Sequence, residues 1–244
     1  MDPSKILTEA DMCQPRSPEA FYAWVISKCR ELSSSPEAKA FARSGARLPK
    51  KLDDELFPLA LFVHREFPGA SEVTIEPHLG NDNYDAKITT HDSRGARTTF
   101  VETTCAKDGY DESLRMEVLA KEGGVSLTGP ITKSERRGSP DRIVMAAYEA
   151  ASHSETLESY LQLVESRVKA KSKVHYGTNH LLLVAVDDYL PLVQDYDWPI
   201  LDERARAWIA SCQLDFGRLV FVGVAGRLWL SYALPHATAR VHAP

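Results

Sequence analysis

Residues Leu181 to Val186 read Leu-Leu-Leu-Val-Ala-Val, and no other stretch restricts the fold of this chain as strongly. The run is far short of the ~20 apolar residues that span a bilayer. A strand with one wet face alternates polar and apolar residues, whereas one covered on both faces does not. His180 to Asp187 therefore predicts a central strand lying between two layers. Helical periodicity supplies those layers. Ser17-Pro18-Glu19 is a capped helix start, followed by Phe21, Trp24, Val25, Cys29 and Leu32 at helical spacing. Ser35-Pro36-Glu37 opens a shorter helix. Asp53 to Phe67 forms a third, stopped by Pro68-Gly69. Later in the chain, Leu157, Tyr160, Leu161, Val164 and Val168 mark an amphipathic helix ending near Val174, and Arg204 to Cys212 marks another.

Between these helices the period shortens to two. Val73 and Ile75 alternate with polar neighbours, and Tyr84 to Thr90 and Arg97 to Cys105 flank the turn Asp92-Ser93-Arg94-Gly95. This predicts a three-stranded meander. Asp111 is expected to cap a helix through Leu114, Val118 and Lys121, closed by Gly123-Gly124. Val125 to Leu127 reads as a short strand, Lys133 to Asp141 as a polar loop, and Ser139-Pro140-Asp141 as the start of a helical region. Leu219 to Val224 and Leu228 to Ala233 predict a hairpin about Ala225-Gly226. The expected fold class is α/β, one mixed sheet with helices on both sides, as a single domain over residues 1–244. Within it lie a helical segment at 17–50, a core at about 52–190, and a C-terminal helix and hairpin at 200–234.

Of 244 residues, 43% are hydrophobic and 26% charged, an ordinary globular composition. The net charge of −5 excludes a coat protein for nucleic acid, but not an enzyme with one local basic surface. Cys13, Cys29, Cys105 and Cys212 are far apart, which argues against a disulfide framework or a zinc ribbon. The first twenty residues lack a charged-then-apolar signal pattern. The expectation is a cytoplasmic chain with free thiols and no membrane partner.

The candidate chemistry lies in the meander. With Asp92 to Gly95 as the loop, His91 faces Ala96, and counting back along the ladder sets Asp85 opposite Glu102. Directly opposed residues share a face with Cβ atoms ~5 Å apart. Two carboxylates so close repel unless a cation sits between them. Mg²⁺ suits such a pair, because it takes a few carboxylate oxygens and keeps several waters. A bulged turn would shift the register and separate the two acids, which would then simply decorate a solvated strand.

Asp85, the segment Glu102-Thr103-Thr104 and the order helix, three strands, helix, strand resemble the PD-(D/E)XK nuclease-like superfamily. The resemblance covers about the middle third of the chain. It implies a restriction-endonuclease-like fold and a Mg²⁺- or Mn²⁺-dependent nuclease acting on DNA or other nucleic acid. Asp85 and Glu102 would then be the metal-binding acids, with Glu55 as the assisting helix glutamate. Thr104 stands where that family carries its catalytic lysine, and no proline precedes Asp85. Lys87, two residues from Asp85, is the replacement expected on the same face, and Lys107 is a second candidate. A catalytically inactive binding module on the same fold is the alternative.

Arg167, Lys169, Lys171, Lys173 and His175 form the most basic stretch. Lys169, Lys171 and Lys173 are candidates for holding a phosphate backbone, against the simpler reading of cations favoured at a helix C-terminus. Lys171 continues the apolar stripe of Val164 and Val168, and so is expected to point toward the end of the sheet. Arg136-Arg137 in the polar loop is a further phosphate candidate, and Arg115 and Glu117 are possible supports of the site. Cys105 reads as a buried strand thiol rather than a nucleophile. The histidines lack zinc-ligand spacing, and no phosphate-binding glycine loop is present.

Overall fold

The computed structural model describes residues 2–125, 129, 131–134, 142–145, 151–189, 192 and 196–234. Its frame is a six-stranded sheet in the order β1-β2-β3-β6-β7-β8. The strands are β1 (Val73–Pro77), β2 (Ala86–Asp92), β3 (Gly95–Cys105), β6 (Gly177–Val186), β7 (Phe216–Gly223) and β8 (Trp229–Ala233). The β3–β6 and β6–β7 pairs are parallel and the others antiparallel, so the sheet is mixed. A separate hairpin pairs β4 (Ile131–Ser134) with β5 (Arg142–Met145).

The apolar run behaves as its lack of alternation requires. Leu181 and Leu183 enter one hydrophobic cluster, while Leu182, Val184 and Val186 enter another on the opposite face. The first cluster is closed by α2 (Pro18–Leu32), α3 (Pro36–Arg43) and α5 (Phe57–Glu66), joined by Met12 from α1 (Glu9–Met12). The second is closed by α7 (His153–Lys171) and α8 (Asp197–Ser211), the helices of the two parallel crossovers. Serine caps start α2, α3 and α7 as their sequences imply, and at α7 Ser152 and Glu155 complete a reciprocal capping box.

The structure differs from four local expectations. The expected helix at Asp53 begins earlier, with α4 (Arg47–Lys51), and runs through a π-helical turn, Leu52–Leu56, into α5. Asp108, not Asp111, caps α6 (Gly109–Glu122), because its carboxylate accepts from the backbone N–H groups of Tyr110 and Asp111. The segment after Asp141 starts as strand β5 rather than helix, because Arg142–Met145 finds a partner in β4; Lys133 and Ser134 are likewise strand, not loop. The strand expected at Val125 to Leu127, the Arg136-Arg137 site and Ser139 to Asp141 lie wholly or mostly outside the described residues. Among the described residues no helix is long and apolar enough to cross a membrane.

The far end of the sheet is fastened by Asp188. This fully buried carboxylate accepts from the N–H groups of Ala225 (2.7 Å), Arg227 (2.7 Å) and Leu228 (3.0 Å), so it organises the β7–β8 turn. Its close seat explains Gly223, where a Cβ would stand 2.0 Å from Asp188 Oδ2. Removing the acceptor would leave buried donors unpaired, at a cost of ~1–3 kcal/mol for each group that water cannot reach. Asp188→Ala is therefore expected to lower unfolding free energy by at least ~2 kcal/mol in urea titration, without changing the fold seen by circular dichroism.

Candidate functional site

The site forms where β2 ends beside β3. The ladder pairs His91 with Ala96 and Ala86 with Val101, which is the register the turn predicts, and Asp85 is the next residue toward Glu102. At that point the backbone ladder stops and the aspartate side chain continues it. Asp85 N–H donates to Val101 O at 2.7 Å, and Thr103 N–H donates to Asp85 Oδ2 at 2.7 Å. The carboxylate thus takes the place of the next strand carbonyl. The residue is fixed from behind as well, because His78 N–H donates to Asp85 O at 2.7 Å.

Glu102 projects from β3 and is only 8% exposed. Lys171, the last residue of α7, donates to its Oε1. The stripe Leu157, Leu161, Val164 and Val168 is buried against the sheet, and Lys171 is the next position on that stripe. The helix therefore aims its final ammonium at the sheet end. From the opposite side, the π-helical turn brings Glu55 beside Asp85, with Lys51 Nζ 2.6 Å from Glu55 Oε2. Single π-helical turns recur at functional sites. The result is an ordered series of charges, Lys51, Glu55, Asp85, Glu102 and Lys171.

The carboxylates are under-compensated. Burial, and then Glu55, push the Asp85 carboxyl up to about 6 against the pull of the Thr103 N–H, Lys51 and Lys171. Burial, and then Asp85, also raise Glu102, opposed by Lys171. Burial and these two carboxylates push the Tyr176 hydroxyl up to about 12, which keeps it a hydrogen-bond donor toward Glu102. Acids held above their ordinary range by one another are acids that a cation would favour. The donors that could serve Mg²⁺ are the oxygens of Asp85 and Glu102, two carboxylates being enough when water and a phosphate complete the shell. Among the described residues no group of three histidines, cysteines or acids is arranged to hold a metal, and Glu55 is engaged by Lys51.

Other expected residues are placed elsewhere. Lys87 does not reach the acids: its Nζ lies 3.9 Å from Glu76 and 5.5 Å from the centre of the Tyr84 ring. The two-residue spacing misleads because Asp85 lies beyond the end of the paired strand. Lys169 pairs with Glu165 at 2.7 Å, Lys173 is exposed, and Lys171 faces Glu102, so the three do not act as one phosphate-binding set. Lys107 is bound by Asp53 and Asp54. Cys105 donates to Asp54 O at 3.1 Å, and burial pushes its thiol up to about 12, so it is no nucleophile. Arg115 donates to Gly129 O, and Glu117 pairs with Lys121 at 2.5 Å, away from the acids. Lys51, Tyr176 and His180 were not legible as site residues; the i,i+4 spacing of Lys51 and Glu55 was the available signal.

Comparison with protein-family models, with curated proteins and with solved structures finds no match to this chain.

Because the Asp85 carboxyl is raised in the folded state, its contribution to stability is fully present below its unfolded pKa, near 3.8, and is lost as pH rises through about 6. In metal-free buffer the melting temperature of Asp85→Asn is therefore expected to fall less than that of wild type between those limits. Parallel curves for the two proteins would contradict this placement of the charge.

Proposed function

We propose that this chain is a Mg²⁺- or Mn²⁺-dependent phosphodiesterase, a nuclease of the restriction-endonuclease-like fold acting on nucleic acid, DNA in the first instance. The observation that carries the reading is the delivery of Lys171 from α7 onto the acidic pair of β2 and β3. A nuclease site needs acids to hold a cation and a positive group to meet the charge that develops on the attacked phosphate. Thr104 supplies no such charge from its strand. Lys171 supplies it from the helix that packs across the same face. The order of elements, with one acid just before the second strand, the other on the third and a glutamate on the preceding helix, supports the fold assignment.

Asp85 and Glu102 would hold the cation, and Glu55 with Lys51 would set the charge around Asp85. Bound there, the cation would supply an activated water and charge neutralisation at the phosphate. The residues themselves do the positioning. The Thr103 N–H holds Oδ2 of Asp85, so Oδ1 would be the oxygen offered to the cation. Tyr176 stays protonated and donates toward Glu102. Lys171 Nζ, which donates to Glu102 Oε1 here, would be the ammonium available to donate to a non-bridging phosphate oxygen. A second reading, a binding module without catalysis, is favoured by the absence of a three-ligand metal group among the described residues and by the Lys171–Glu102 ion pair, which would then be purely structural.

Cleavage in Mn²⁺ of circular DNA, both supercoiled and single-stranded, separates the two. Wild type is expected to cut at least one of them. Lys171→Met should lower the rate by ~10²-fold or more, as removal of one preorganised charge stabiliser does, while Lys121→Met, which pairs with Glu117 away from the acids, leaves it unchanged. Equal rates for Lys171→Met and wild type, with both folded, would remove Lys171 from the site. An inert wild type with a Mn²⁺-independent melting temperature would favour the binding module.

A further inference from the structure

The row of the sheet beside the acidic pair is aromatic. Glu76, Lys87, Phe100 and His180 are successive Cα partners across β1, β2, β3 and β6, and Phe100 lies on the face that carries Glu102. Tyr84 joins this row, its ring 4.9 Å from Phe100, and Phe100 lies 5.0 Å from His180. His78 flanks Tyr84 at 4.8 Å. The rings are only half-buried, like Thr89 and Thr98 in the next row. Among the described residues, the apolar cluster beneath α7 and α8 takes no residue from β1 or β2. These aromatics thus stand beside the site on a polar, incompletely covered half of the sheet rather than in a core.

Tyr84 immediately precedes Asp85, so its ring flanks the acids by one residue. Over that ring sits the Lys87 ammonium, whose other contact is the 3.9 Å approach to Glu76. Both are weak contacts of a partly exposed cation. A nucleotide offers both groups a better partner: a flat base for the ring and a phosphate oxygen for the ammonium.

We propose that the substrate strand enters this site unpaired, with one base stacked on Tyr84 and its phosphate on Lys87, so that the neighbouring phosphate meets Asp85 and Glu102. The ligand is single-stranded nucleic acid. In a duplex the bases are held in their own stack and none is free for Tyr84. Charge agrees with this choice. Among the described residues the basic stretch of this chain of net charge −5 is partly spent on Glu165 and Glu102, which leaves it a poor duplex-binding surface there, whereas stacking supplies affinity with few cations. The cleavage part of this inference rests on the phosphodiesterase reading; the binding part does not.

Fluorescence anisotropy of the full chain in EDTA tests it without any cleavage, using short labelled oligothymidylate, short labelled oligouridylate and a blunt DNA hairpin. At least one of the single strands should bind at least about tenfold tighter than the hairpin, and Tyr84→Ala should weaken it by about tenfold or more, as loss of one base-stacking ring does. Tyr84→Trp, which keeps a stacking surface, should restore binding. Equal affinity for hairpin and single strands, wild-type binding by Tyr84→Ala, or no binding of any probe would overturn the proposal. Duplex nicking unaffected by Tyr84→Ala would also overturn it while leaving the phosphodiesterase intact. Strand binding that depends on Tyr84 in a protein that cuts nothing would support it and remove the reaction instead.

Discussion

Burying carboxylates against one another is the constraint on which the rest of this structure turns. Asp85 and Glu102 lie where water reaches them poorly; after burial, Glu55 raises the charging cost of Asp85, and Asp85 that of Glu102. A fold tolerates this only if hydrogen bonds and counter-charges are brought to the same place. Here the Thr103 N–H, Lys171 and, through Glu55, Lys51 are brought to it by three separate elements. The compensation is incomplete, since both acids remain above their ordinary range. A site built only for stability would more simply carry an apolar pair.

The architecture explains how those elements converge. The apolar run of β6 must be covered on both faces, so helices pack above and below it, and the parallel β3–β6 pairing sends α7 back across one face. The buried stripe of that helix fixes its rotation, and its last residue falls over Glu102. On the other face the helix from Arg47 to Glu66 passes the end of β3 through a π-helical turn, which sets Glu55 beside Asp85. The aromatic row of Tyr84, Phe100 and His180 occupies the part of the sheet that α7 leaves uncovered. The acids, the ammonium and the open aromatic face are therefore consequences of one packing scheme.

Much of this was legible in the sequence. The Asp92 to Gly95 turn fixed the β2–β3 register and with it the adjacency of Asp85 and Glu102, because turn geometry is local. Lys171 was readable as the continuation of the Val164 and Val168 stripe, although its partner was not, since pairing across a crossover depends on how far the helix slides over the sheet. The error at Lys87 has a definite cause: alternation holds only inside a paired strand, and Asp85 lies one residue beyond the ladder. The π-helical turn left no pattern in Leu52 to Leu56, and strand β5 was mistaken for helix because its partner β4 supplies the deciding hydrogen bonds.

The central claim is that Asp85 and Glu102 form a cation site which Lys171 closes in the cation's absence. Crystals soaked in Mn²⁺ and measured at a wavelength where manganese scatters anomalously test it directly. The account predicts one anomalous peak within ~2.2 Å of oxygens of both acids, a hard-cation distance, with Lys171 Nζ displaced from Glu102. A peak bound elsewhere, or no peak with the Lys171–Glu102 pair intact, would contradict it.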